Sequence, residues 1–104
     1  TVYVLSLGLF EGAPIEPAAL VRELDWVGYR SVASLYRPGQ YSRNGNRIEV
    51  YTRDFKFPDQ FAKGARVAIT LSQGRVATLT REGRAIDLLR LEPMVIGGVY
   101  GHLR

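Results

Sequence analysis

The 104-residue sequence has no cysteine, a single histidine (His102), and no apolar run long enough to cross a membrane as a helix. Without cysteine there are no disulfide staples and no thiolate metal sites. Zinc needs three or four converging Cys, His or carboxylate ligands, and a lone near-terminal histidine lacks the preorganised neighbour that ligation or general-base work requires. Carboxylates occur singly, as at Asp54, Asp59, Asp87 and Glu92, with no Asp-x-Asp calcium loop and no spacing that demands a glycosidase-like pair. No serine begins a Ser-x-x-Lys and no Lys-Thr-Gly occurs, which removes the serine acyl-transfer kit those motifs mark. Gly97-Gly98-Val99-Tyr100-Gly101 matches neither the dinucleotide fingerprint nor the P-loop. The apolar start, Val2 to Phe10, falls short of the ~20 residues of a spanning helix and lacks the basic n-region of a signal peptide. No catalytic residue, cofactor or metal is therefore expected.

What is present suits one globular domain over residues 1–104, with 46% hydrophobic and 23% charged residues. A chain of this size buries roughly 60–70% of its unfolded surface, enough for a single modest core. It opens on Thr1 instead of Met, and we expect a domain excised from a longer polypeptide, or a processed product. The net charge is +4, carried by twelve arginines and only two lysines, Lys56 and Lys63. The arginines are dispersed, whereas a phosphate-tracking surface clusters them along one element. Aromatics near arginines (Tyr36, Tyr41, Tyr51, Phe55, Phe57 and Phe61) keep nucleic-acid binding as an alternative, by base stacking on a basic sheet face. Phe55 and Phe57, just before Pro58, fit better as a clamp of a loop on the core edge.

The element order is strand, helix, then a meander. Val2 to Leu7 is β-branched and aromatic and reads as a strand, closed by turn residues from Glu11 to Pro14. Pro17 suits the first helical position, and Leu20, Val21, Leu24 and Val27 recur at helical spacing to an end near Gly28. Arg30 to Tyr36 is expected as a strand. An Asn44-Gly45 pair between strand-like arms is the strongest short hairpin signal, read as a type I′ turn with φ > 0 at both central residues. The second arm alternates, with Ile48 and Val50 inward and Arg47, Glu49, Tyr51 and Arg53 outward, the pattern of a sheet wet on one side. Ala65 to Leu71 alternates likewise. Turns at Ser72-Gln73-Gly74 and Arg81-Glu82-Gly83 lead into Arg75 to Thr80 and Arg84 to Leu91, whose faces are ambiguous because both parities carry aliphatics. Leu91-Glu92-Pro93 should end the sheet, since proline cannot donate to a ladder. The fold class expected is α+β: a small antiparallel sheet of about five or more strands with one amphipathic helix packed on it.

The most informative stretch runs from Arg37-Pro38-Gly39-Gln40-Tyr41 to Phe55-Lys56-Phe57-Pro58-Asp59. With Val2-Tyr3, Tyr29-Arg30-Ser31-Val32, Ile48-Glu49-Val50, Leu79 and Arg90-Leu91-Glu92-Pro93, it resembles the small non-catalytic domain of class A bifunctional penicillin-binding proteins of the 1b type, the UvrB-domain-2 homologue. The resemblance spans nearly the whole chain. It implies a periplasmic domain between a membrane anchor and a glycosyltransferase domain, with polymerisation and transpeptidation residing in other domains of the parent. It also implies a docking role for an outer-membrane lipoprotein activator. The family's catalytic residues have no positions here. Tyrosine and arginine are enriched at interface hot spots, so the expected partner-binding surface is the wet face of the hairpin arm: Arg47, Glu49, Tyr51, Arg53 and neighbouring Arg66.

Overall fold

A computed structural model describes residues 3–5, 8–56, 61–91 and 94–96. Phe57-Pro58-Asp59, Glu92-Pro93, the 97–101 glycines and His102 lie outside them. In chain order the elements are β1 (Tyr3–Leu5), β2 (Gly8–Leu9), α1 (Pro17–Trp26), β3 (Arg30–Ser31), β4 (Gln40–Asn44), β5 (Arg47–Tyr51), β6 (Phe55–Lys56), β7 (Phe61–Ala62), β8 (Arg66–Ser72), β9 (Arg75–Arg81), β10 (Arg84–Ala85), β11 (Leu89–Arg90) and β12 (Met94–Ile96). The class is α+β, with one helix and a mostly antiparallel sheet. The main sheet runs β10-β9-β8-β5-β4-β3, while β1 pairs with β12, β2 with β11 and β6 with β7.

The helix forms as its sequence dictates. Pro17 occupies its first turn, where a missing N–H costs nothing. Leu20 and Leu24, one turn apart, are fully buried among sheet residues, with Val21 and Val27 partly buried against the same core. Gly28, at φ 89°, ends it in the left-handed conformation that favours glycine. Tyr41 then ties helix to sheet: its hydroxyl donates to Asp25 Oδ1 at 2.7 Å.

Several expected strands are shorter or differently placed. Arg30 to Tyr36 is not one strand; only Arg30–Ser31 pairs, and it lies parallel to β4. The chain then loops back under the control of Gln40, a buried amide whose Oε1 accepts from the backbone N–H of Tyr36 (3.0 Å) and of Arg37 (3.2 Å). Pro38 followed by Gly39 at φ 89° has the Pro-then-positive-φ order of a type II turn, which gives the Arg-Pro-Gly run its mechanical role. Arg84 to Leu91 is also divided. Arg84–Ala85 extends the main sheet, whereas Leu89–Arg90 pairs with β2. Leu91 does not close the strand order, because Met94–Ile96 pairs with β1.

The hairpin turns differ in kind from the expectation. Register sets Asn44 opposite Arg47, so the turn residues are Gly45 and Asn46, and only Gly45 has positive φ (63°). That is the pattern of a type II′ turn, with glycine first. The I′ pattern occurs instead at Gln73-Gly74 (φ 53° and 74°) and Glu82-Gly83 (φ 51° and 82°). The ambiguity of β9 has a physical cause. Thr70 pairs with Thr78 and Leu71 with Val76, leaving Ala77 as an extra residue. This bulge changes the parity, so Val76 and Leu79, three apart, both enter the core with Ile48, Val50, Val67 and Ile69.

The neck of the β6–β7 hairpin is drawn tight by Thr52, whose hydroxyl accepts from Ala65 N–H at 2.9 Å and donates to Ala65 C=O at 3.1 Å. Gly64 donates to Asp54 Oδ1 at 2.6 Å, and a Cβ there would sit 2.4 Å from the Thr52 carbonyl.

Two outcomes follow from this packing. Gly64→Ala should lower stability by about 1–3 kcal/mol in urea unfolding, since backbone must move to admit the methyl; a wild-type midpoint would show the neck to be loose. Burial, and then the hydrogen bond and charge of Asp25, raise the Tyr41 pKa above its ordinary 10.0. The folded state therefore keeps a proton that the unfolded chain releases, and stability from this group is intact below pH 10 and lost as pH rises through the folded value. Tyr41→Phe should make the alkaline decline of the thermal midpoint shallower while costing about 1–3 kcal/mol at neutral pH.

Candidate protein interface

Residues directly opposed across a ladder share a face, so register alone builds the outer surface of the sheet. Arg47 lies beside Thr70, Glu49 beside Ala68, and Tyr51 beside Arg66. Thr78 and Thr80 continue the same face on β9. Every inward position between them on β5 and β8 is buried: Ile48, Val50, Val67 and Ile69. The sheet thus commits one side to the core and leaves the other to solvent.

Four of the five residues expected at an interface are brought together on that solvent side. The Arg47 guanidinium meets Glu49 Oε2 at 3.1 Å with both side chains about half exposed, so the pair organises the surface without adding much stability. The Arg66 guanidinium lies 5.3 Å from the centre of the Tyr51 ring, and its backbone N–H donates to Glu82 Oε2 at 2.9 Å. Beside these pairs is a groove of about 280 Å³ whose lining includes Arg47, Glu49, Arg66, Ala68, Leu35 and Glu82. Glu82 escapes sequence reasoning because it sits in a turn without periodic signal, and Leu35 because the segment expected as a strand from Arg30 to Tyr36 pairs only at Arg30–Ser31.

Arg53 is the exception. Alternation places it on the wet face, yet β5 ends at Tyr51 and Arg53 turns to the helix end. Its guanidinium donates to the Val27 carbonyl and stacks 4.4 Å from the centre of the Tyr29 ring. Its backbone N–H donates to the Tyr29 hydroxyl at 3.2 Å. The helix has no basic residue in its own last turn, and Arg53 supplies from a distant segment the cation its C-terminal dipole favours.

The remaining sequence candidates fall elsewhere. Phe55 is half-buried in β6, and Phe61, opposite Lys56, is 62% exposed. The register sends Arg47 and Arg66 to one face of the sheet but Arg81 and Arg84 to the other, so basic charge is not aligned into a single track. Among the described residues no group of three His, Cys, Asp or Glu converges to hold a metal ion.

Comparison with known proteins gives this geometry a setting. Residues 9–91 match the family model described as the bifunctional transglycosylase second domain. The chain is 34% identical over 99 residues to penicillin-binding protein 1B of Vibrio cholerae serotype O1, and 30% identical over 97 residues to penicillin-binding protein 1B of Escherichia coli K12. Those alignments cover 92% and 91% of this chain but span only 13% and 12% of the relatives' lengths.

Exchange of charge should separate the two kinds of arginine. Arg53→Glu should lower the thermal midpoint clearly, because it removes a carbonyl partner and sets a negative charge at a helix C-terminus. Arg47→Glu should stay within about 0.5 kcal/mol of wild type. Equal midpoints in calorimetry would show that the Arg53 contacts contribute nothing.

Proposed function

The chain belongs to the family of bifunctional transglycosylase second domains, and on that premise we propose that it is the non-catalytic regulatory docking domain of a peptidoglycan synthase. The parent would carry glycosyltransferase and transpeptidase domains outside this chain and be anchored in the bacterial inner membrane, with this domain on the periplasmic side. The partner would be a protein activator of the outer-membrane lipoprotein type. The observation that carries the docking role is the division of the sheet. Along β5 and β8 its inner face is covered by the core, and its outer face presents an Arg47–Glu49 pair and an Arg66–Tyr51 stack beside a groove.

Such a face suits protein recognition for a physical reason. Arginine and tyrosine offer large, partly rigid contact area, and side chains already held by neighbours lose less freedom when a partner covers them. Binding alone would not stimulate synthesis. An activator changes catalysis only if its affinity differs between arrangements of this domain and its catalytic neighbours.

The test is a titration of the chain with the outer-membrane lipoprotein activator of the same bacterium, comparing wild type with the double variant Arg47→Glu, Arg66→Glu. A loss of at least about tenfold in affinity, equal to 1.4 kcal/mol, with an unchanged thermal midpoint is expected. Unaltered affinity would reject this face.

A further inference from the structure

The sequence contains only two asparagines, Asn44 and Asn46, and the tip of the β4–β5 hairpin holds both. Asn44 ends β4 and faces Arg47 across the ladder, so its side chain lies on the outer side of the sheet. Gly45 and Asn46 form the turn, and Asn44, Gly45 and Asn46 are all exposed. Gly45 has no side chain to shield its nitrogen, and a Cβ built there would meet no atom within 4 Å. Its N–H lies outside the ladder and finds no acceptor among the described residues. The Arg43 guanidinium donates through Nε to the Gly45 carbonyl at 3.0 Å, and Arg43 and Arg47 flank the turn with positive charge. Such charge favours the anionic form of an amide nitrogen, which is the form that attacks a carbonyl.

We propose that Asn44 is a site of spontaneous covalent modification, at which the Gly45 nitrogen closes on the Asn44 side-chain amide and water then opens the ring. The nitrogen gives up its proton and bonds to Asn44 Cγ; the Cγ–Nδ2 bond breaks, and Nδ2 takes up a proton and leaves as ammonia. Water then adds to either carbonyl of the five-membered imide and breaks one of its two ring C–N bonds. Cleavage at Cγ leaves aspartate, whereas cleavage at the main-chain carbonyl leaves isoaspartate. No reactant besides water is needed. The hairpin selects Asn44 over Asn46. The nitrogen that would attack the Asn46 amide belongs to Arg47, inside the ladder, and the Asn46 carbonyl is pinned by the Leu71 N–H at 2.8 Å. Bringing the Gly45 nitrogen to Asn44 Cγ asks only the last pair of the hairpin to open, with no buried side chain displaced, and terminal pairs open at little cost. The product changes the outer face. A carboxylate appears opposite Arg47 and competes with Glu49 for its guanidinium, and the net charge falls by one, from +4 to +3. The isoaspartyl form also lengthens the main chain by one carbon at the end of β4. None of this depends on the outer face binding an activator.

The test is peptide mapping by tandem mass spectrometry of the folded chain held in warm, mildly alkaline buffer, beside the same chain unfolded in guanidinium chloride. The folded chain is expected to lose the Asn44 amide at a rate within about tenfold of the unfolded one, and to lose the Asn46 amide at least about tenfold more slowly than that of Asn44. Isoaspartate should exceed aspartate in the product. The Arg47 Nε–H resonance should move as product accumulates. Asn44→Gln, whose longer side chain cannot close the five-membered ring, should keep its amide and leave the Arg47 resonance where it began. Slower loss of the Asn44 amide than this, conversion of Asn46 at a similar rate, aspartate formed without isoaspartate, or an Arg47 resonance indifferent to the product would each overturn the assignment.

Discussion

The antiparallel pairing of Arg47–Tyr51 with Arg66–Ser72 decides what this domain can offer to others, because a sheet with one buried face has its register locked. A slip of Arg47–Tyr51 by one residue would drive Arg47, Glu49 and Tyr51 toward the core and expose Ile48 and Val50. The cost of burying unpaired charge makes that state inaccessible. The recognition surface is therefore specified by the core, side chain by side chain, although no surface residue contributes much to the core's stability.

The helix end shows the same economy from another direction. Tyr29, Arg53 and the Val27 carbonyl form one junction in which an arginine just beyond a central strand closes the C-terminus of the only helix among the described residues. The Asp25–Tyr41 hydrogen bond joins the same helix end to β4. Both contacts link the helix to the β4–β5 hairpin, so the family's hairpin signature and the helix position are coupled through polar chemistry as well as through the apolar core.

Much of this was legible in sequence where periodicity is strong. The helix, β5, β8 and the outward positions of Arg47, Glu49, Tyr51 and Arg66 follow from spacing of 3.6 or of two. The misreadings share a cause: period says nothing about where a ladder finds its partner. Arg53 keeps the alternation of β5 but lies past its end, so its direction is set by Tyr29. Ala77 interrupts β9, and a bulge cannot be seen when both parities are aliphatic. Asn44-Gly45 promised φ > 0 at both positions, yet register moved the turn by one residue and gave the left-handed slot to Gly45 alone.

The β1–β12 ladder sets Tyr3 directly across from Ile96. Opposed residues in an antiparallel pair lie roughly 5 Å apart, so the backbone comes into and out of the domain at neighbouring points. Polypeptide continuing past both would carry the domain as a side branch instead of a spacer. Its contour would lengthen by little more than one interstrand step, and a pull along it would bear on the short two-stranded stem before reaching the six-stranded sheet.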